Sequence, residues 1–341
     1  MKHKLVAAFI ALLAVLCLSA SAEVVDSARF LVLGDCRNYP GFTKLLETAK
    51  ALPEGPGLFV ITTGDIDPPD LVRSEISKVI GTKFPWFPIV GNHEANQAGM
   101  KYLRKYFSKE MRSSLPPQIS NFTPGPAGSS ETTYSFDAGP VHVIAINEYW
   151  DGTGKPEADI NAHGDVAPAL DKWLDEDLKK TKMPWKIVVG HEPAYPQEDQ
   201  DWSKLKPNIN TMRHADSSLN SKAAHRDAFV KTLSDNHVAA YFCGHTHRYS
   251  RFQIPNTTVW QIDSAQARGD DKGWKYDAFL IVSATSSEFK VNVYRNLKTR
   301  SVFDLTDKLE LKTTATDKQP STQPAAKVEA APTVPQVNSK H

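Results

Sequence analysis

Five short runs of Val, Ile, Leu and Phe punctuate the middle of the chain, at residues 28–33, 58–63, 87–90, 185–189 and 238–243. Runs of this length and composition predict buried β-strands. Each stops at a glycine, and the residues after those glycines are Asp35, Asp65, Asn92, His191 and His245. Glycine suits a sharp exit from a strand, and ligands of open α/β sheets bind outside the carboxyl ends of the strands. Further strands without such an ending are expected at 141–146, 258–262, 278–283 and 289–294. Helical spacing places Phe42, Leu45, Leu46 and Ala49 on one face. The same spacing unites Leu170, Trp173, Leu174 and Leu178, and later Phe229 and Leu233. Strands alternating with helices predict an α/β domain, and the consecutive late strands add antiparallel or mixed pairing. Two polar, Pro/Gly/Ser-rich stretches, 113–131 and 195–224, read as surface insertions near the site.

The two ends carry different information. Lys2 and Lys4 precede a 14-residue apolar run, and Ala20-Ser21-Ala22 supplies small residues at a cleavage position. That is the layout of a secretory leader, expected at 1–22, and the run is short of the ~20 residues a spanning helix needs. Export to a secreted or periplasmic location follows as an expectation, with no membrane span after cleavage. Residues 313–341 hold no aromatic residue and no periodic apolar face, so they are expected to form a disordered Pro/Thr/Ala-rich tail. The body between is 23–312. Once the first 22 residues are set aside, 38 positive charges face 39 negative ones, which argues against a nucleic-acid-binding surface.

Oxygen ligands from Asp and Asn with several His nitrogens suit Mn, Fe, Zn or Co, and no thiolate is required. A lone Asp after a strand is usually a turn former. Five such endings in one chain, with His247 two residues after His245, are not so easily dismissed. The blocks Gly34-Asp35, Gly64-Asp65, Gly91-Asn92-His93-Glu94, Gly190-His191 and Gly244-His245-Thr246-His247 resemble, in order, those of the calcineurin-like metallophosphoesterases. The stretch GHTHRYSR from Gly244 to Arg251 is similar to the GHxHxYxR block of purple acid phosphatases.

The resemblance implies two mixed β-sheets packed as a sandwich with flanking helices, and two divalent or trivalent metal ions at the strand ends. Asp65 would bridge both ions, Asn92, His191 and His245 would complete the second site, and Asp35 and His247 would hold the first. His93 would act as general acid while a hydroxide held by the metals attacks phosphorus in line. Arg37, Asn92, His93 and Tyr249 are the expected contacts to a phosphate mono- or diester, with Arg37 also expected to assist the reaction. Two departures stand out. Arg37 occupies a place where relatives often carry a ligand His, so the first site is expected to be weaker. Pro68 stands where relatives carry a tyrosine or an acid orienting the catalytic His; Asp67, Asp70 and Glu94 are alternative orienters.

Arg37 either takes a phosphate oxygen or pairs with an acid such as Asp67, and the phosphate contact is placed ahead. His163, His214, His225 and His237 lie outside the blocks; His163 and His214, in long loops, are the better candidates for touching substrate. Tyr149 and Trp150 read as core before pocket wall. Cys36 and Cys243 both adjoin expected ligands, and buried thiols are preferred to a bridge. The favoured function is an exported metal-dependent phosphoesterase. Arg37 and Pro68 keep open a degenerate relative that holds metal and phosphate without turnover. An adhesive protein would leave the histidine blocks unexplained.

Overall fold

The computed structural model describes residues 27–37, 40–113, 115–153, 163–199, 214–268, 276–299 and 301–313. The expected leader at 1–22 lies outside the described residues, as does the expected tail beyond Thr313.

Thirteen strands form two mixed sheets among the described residues. The first has the order β13-β12-β11-β1-β2-β3, built from β1 (Ser27–Leu33), β2 (Val60–Thr62), β3 (Trp86–Pro88), β11 (Ala278–Thr285), β12 (Glu288–Thr299) and β13 (Val302–Lys312). Its β1, β2 and β3 run parallel, whereas β11, β12 and β13 meander antiparallel beside them. The second has the order β4-β5-β6-β7-β8-β10-β9. Its members are β4 (Ile119–Pro124), β5 (Tyr134–Ala138), β6 (Val141–Ala145), β7 (Trp185–Val189), β8 (Ala240–Cys243), β9 (Tyr249–Gln253) and β10 (Trp260–Ser264). Here β6, β7, β8 and β10 are parallel and the outer strands antiparallel.

The core lies between the sheets. Phe59, just before β2, and Phe87 of β3 meet Phe136 of β5 at ring-centroid distances of 5.5 and 4.2 Å. Helices α1 (Pro40–Ala51), α2 (Pro69–Val79) and α3 (Gln97–Tyr106) follow β1, β2 and β3 in turn. The expected face of α1 is the buried one: Phe42, Leu45, Leu46 and Ala49. Helices α4 (Pro168–Lys180) and α5 (Ala223–Asp235) bring Leu170, Leu174, Leu178, Phe229 and Leu233 into a second apolar cluster with Ile144, Val188 and Tyr241. The architecture is the expected sandwich of two mixed sheets with flanking helices. Among the described residues no helix is long and apolar enough to cross a membrane.

Two corrections concern the segment at 113–131 and the late strands. Residues 113–131 are not wholly an insertion, because they contain β4, which pairs with β5 across a register shift between Ser120 and Thr123. The strand expected at 258–262 is displaced to Trp260–Ser264, so its C-terminal end extends to Asp263 and Ser264.

Candidate metal centre

The parallel strands of both sheets end on one side, and their exits bring six residues together. Asn92 Oδ1 lies 3.1 Å from His191 Nε2 and 3.1 Å from His245 Nδ1. Those two nitrogens are 3.2 Å apart, and Asp65 Oδ1 is 3.3 Å from His191 Nε2. Beside this group, Asp35 Oδ1 sits 3.1 Å from His247 Nε2, and ligand atoms of Asp35, Asp65 and His247 all fall within 4.8 Å of one another. Asp65 therefore belongs to both groups. Around an ion with bonds of about 2.0–2.2 Å, neighbouring donor atoms stand about 3 to 3.5 Å apart.

Hydrogen bonds from behind set which nitrogen faces the centre. His191 Nδ1 is 2.7 Å from the Thr63 carbonyl, an acceptor only, so Nδ1 carries the proton and Nε2 presents a lone pair. His245 Nε2 is 3.0 Å from the Ser217 carbonyl, which by the same reasoning leaves Nδ1 as the donor atom. Asn92 Oδ1 and Asp65 Oδ1 offer only lone pairs. Four acceptors thus converge with no proton assigned among them, an arrangement that favours a cation. A proton on His191 competes with a cation for that place. Burial opposes charging His191, yet the Asp65 and Asp35 carboxylates outweigh it and raise its pKa to about 9. Burial and the charge of His191 then push His245 down to about 2. Burial would raise Asp35, but His247 beside it brings it to about 2. The residues present fit a metal centre.

The backbone is bent to make this possible. Asp35, Asp65, His245 and His247 all have positive φ, between 47° and 69°. Such strain, of order 1–3 kcal/mol each, is a mark of functional sites. Two glycines are required by close approach. A Cβ on Gly64, at φ +89°, would lie 2.4 Å from His191 Nδ1, and one on Gly91 would lie 2.2 Å from Asp65 N. Asn96 Oδ1 accepts from Ala98 and Gly99 amides at 3.0 Å and caps α3, fixing the turn that carries Asn92 and His93.

Beneath the centre, Glu148 Oε2 accepts the amides of His191 and Glu192 at 3.0 and 2.7 Å. Glu192 Oε1 accepts from the Tyr149 hydroxyl and the Gly164 amide. Burial and the neighbouring Glu148 push Glu192 up to about 7. Glu94 accepts the Gly91 amide, and burial together with Asp65 raises it to about 8.

At the mouth stands His93, 40% exposed, with Nε2 3.7 Å from Asp65 Oδ2 and Nδ1 3.5 Å from Asp67 Oδ2. Of the three acids offered as orienters, Asp67 is the one beside His93; Glu94 is turned to Gly91. Arg37 forms the ion pair with Asp67 at 3.1 Å, and its Nη2 lies 3.2 Å from both ring nitrogens of His93. The pairing with Asp67 that had been ranked second is thus present, and it keeps the guanidinium at the mouth. His214 packs against His245 with ring centroids 4.5 Å apart and the planes tilted by 37°, and its ring lies 6.2 Å from that of His247. The last part of 195–224 therefore covers the centre, through the 3-10 turn Ala215–Ser217 that also supplies the carbonyl to His245.

Other expected positions fall elsewhere. Tyr249 is a correction: it is fully buried, and its hydroxyl donates to Asp307 Oδ2 at 2.6 Å rather than facing the centre. It serves a contact between the sheets. Tyr149 and Trp150 are both core. His163 is exposed, and His225 pairs with Asp165 at 2.8 Å. Cys36 and Cys243 are buried free thiols. His214 carries no sequence signal of its place, because only tertiary packing sets its ring beside His245 and His247. Asp67 was one of three options because orientation of His93 depends on a turn.

Comparison with known proteins supports the same conclusion. An acid phosphatase from Aspergillus ficuum is 27% identical over 241 residues, 54% of this chain and 36% of that protein. Purple acid phosphatase 23 from Arabidopsis thaliana is 27% identical over 184 residues, 52% of this chain and 32% of its own length. The chain spans about a third of the length of these curated relatives. The fold resembles that of the purple acid phosphatase PPD1 from yellow lupin (Lupinus luteus) seeds, with a TM-score of 0.53 and 13% identity, covering 88% of this chain and 57% of that one. The family model for calcineurin-like phosphoesterases matches residues 28–249, from the first strand into the GHTHRYSR block, and the chain belongs to that family.

Proposed function

We propose that this chain is an exported, metal-dependent hydrolase of phosphate mono- or diesters, working at the strand-end centre. The observation that carries the reading is the convergence of Asp65, Asn92, His191 and His245 through lone pairs alone. When bound, metal ions supply Lewis acidity toward phosphoryl oxygen and lower the pKa of water. Asp65 holds both halves of the centre together, with Asp35 and His247 on one side and Asn92, His191 and His245 on the other. Arg37 offers N–H donors to a non-bridging phosphate oxygen, since its pairing with Asp67 aims the guanidinium into the mouth. His93, at the open rim, delivers a proton to the leaving oxygen, and Asp67 orients its ring. His214, opposite, is placed to contact the ester.

The test is hydrolysis of aryl phosphate mono- and diesters by the full chain before and after metal removal, with elemental analysis of the same sample. Activity lost on demetallation and restored by manganese or zinc is the expected result. A specific observation favours the second reading: the cluster of Asp35, Asp65 and His247 has three protein donors where its neighbour has four. Tight metal and phosphate binding with no turnover of either ester would establish that non-catalytic reading instead.

A further inference from the structure

The strand end at Asp263 and Ser264 contributes no donor to the centre, yet it lies directly under the loop that contributes two. We propose that Asp263 is a positioning residue for the ligands His245 and His247, acting through the hydroxyl of Thr246. This rests on the metal-centre reading above.

Thr246 is fully buried between the two histidines, and Asp263 is buried with it. The Thr246 hydroxyl has one proton, and its shortest contact is with Asp263 Oδ2 at 2.6 Å, so that is where the proton goes. Thr246 Oγ1 in turn accepts the Arg248 amide at 3.2 Å. The other carboxylate oxygen of Asp263 accepts the Ala265 amide at 3.1 Å, which fixes the carboxylate against its own strand. A chain of three hydrogen bonds thus ties the residue between the ligands, and the residue after them, to the end of β10.

The tie is needed because the loop is bent against its preference. His245 and His247 have φ of 69° and 60°, a left-handed region that non-glycine residues enter only under strain. The amide of Thr246 turns back on the Gly244 carbonyl at 2.7 Å, and that of His245 donates to Asp35 Oδ2 at 3.0 Å. These contacts hold the start of the loop. Thr246 Oγ1 and Asp263 hold its middle and its exit. Without them the loop has freedom to relax its left-handed residues, and relaxation swings His245 Nδ1 and His247 Nε2 out of register with the donors from the other sheet. Ser264 extends the support: its hydroxyl reaches the Cys243 carbonyl at 2.9 Å and lies 2.9 Å from Thr63 Oγ1, beside the carbonyl that fixes His191.

Cobalt(II) titration of the demetallated full chain, followed by visible absorption, reads affinity and coordination geometry without reference to turnover. Thr246→Val keeps the shape and removes the hydroxyl; it is expected to bind cobalt about 10- to 100-fold more weakly, with an altered spectrum. Thr246→Ser keeps the hydroxyl and is expected to restore the wild-type spectrum. Asp263→Ala is expected to match Thr246→Val, and the double variant to lose no more than either alone, because the pair acts as one unit. Asp177→Asn, which breaks a buried ion pair remote from the centre, is the control: a lower melting temperature with cobalt binding intact. Wild-type affinity in Thr246→Val, additive losses in the double variant, or equal weakening in the control would each overturn the proposal. A wild type that takes up no cobalt would instead sink the metal-centre reading, and the proposal with it.

Discussion

Around Asn92 Oδ1 each donor is fixed by a different part of the chain, but the two halves of the centre are not equally furnished. Asp65, Asn92, His191 and His245 converge at 3.1–3.3 Å, whereas Asp35, Asp65 and His247 form the looser group. Metal titration is therefore expected to show a tight and a weak ion. Asn92→Ala and His191→Ala should empty the tight one, and Asp65→Asn should be the worst single change. Two ions of equal affinity would refute this asymmetry. At the rim, His93→Ala should keep the metal but slow hydrolysis of esters with poor leaving groups roughly 10²–10⁴-fold, and of activated aryl esters less. Equal losses on both would reassign His93 to positioning. Of the six converging residues, Asp35, Asp65, Asn92, His191 and His245 were legible because each follows a glycine that ends an apolar run, and His247 because it stands two residues after His245. His214 and Asp263 were not. One depends on how a loop packs, and the other is an acid two residues before Ala265 that only its contact with Thr246 distinguishes from a turn former.

Elements with a buried apolar run could be read from the chain, and elements without one could not. β13 carries Asp304, Asp307, Lys308, Glu310 and Lys312 along a sheet edge, where charge discourages pairing with other chains. That charge also hid the strand. One joint between elements was equally silent: His142 of β6 lies between Asp137 of β5, at 2.6 Å, and Asp177 of α4, at 2.9 Å. Burial opposes charging His142, but hydrogen bonds to the two aspartates outweigh it and raise its pKa above 6.5. The imidazolium thus stabilises the fold fully below about pH 6.5, and the stabilisation fades as pH rises through the higher folded value. The urea midpoint should fall across that window. His142→Gln, which leaves two buried acids facing each other, should cost about 3 kcal/mol in the acidic range and flatten the pH profile. A wild-type midpoint constant over the window would refute the joint's role.

Across the whole molecule the two sheets are fastened at their edges as well as at the centre. Asp307 of β13 accepts from the Tyr249 hydroxyl at 2.6 Å and from Arg251 Nε and Nη2 at 2.5 and 2.9 Å, both residues belonging to β9. The Tyr and Arg of the GHTHRYSR block thus act at a distance from the chemistry. Tyr249→Phe should lower stability by about 1 kcal/mol, and Asp307→Ala by about 3 kcal/mol, with metal content unchanged in both. Loss of metal on Tyr249→Phe would restore a role at the centre. The centre itself draws Asp35, Asp65 and Asn92 from exits of one sheet and His191, His245 and His247 from exits of the other. Any ion seated there is a rivet through the seam of the sandwich, and an unfolded chain has no equivalent grip on it. Stability should then climb by about 1.4 kcal/mol for each tenfold rise in free metal beyond the dissociation constant. The supply of metal in the surroundings becomes a dial on the lifetime of the whole fold.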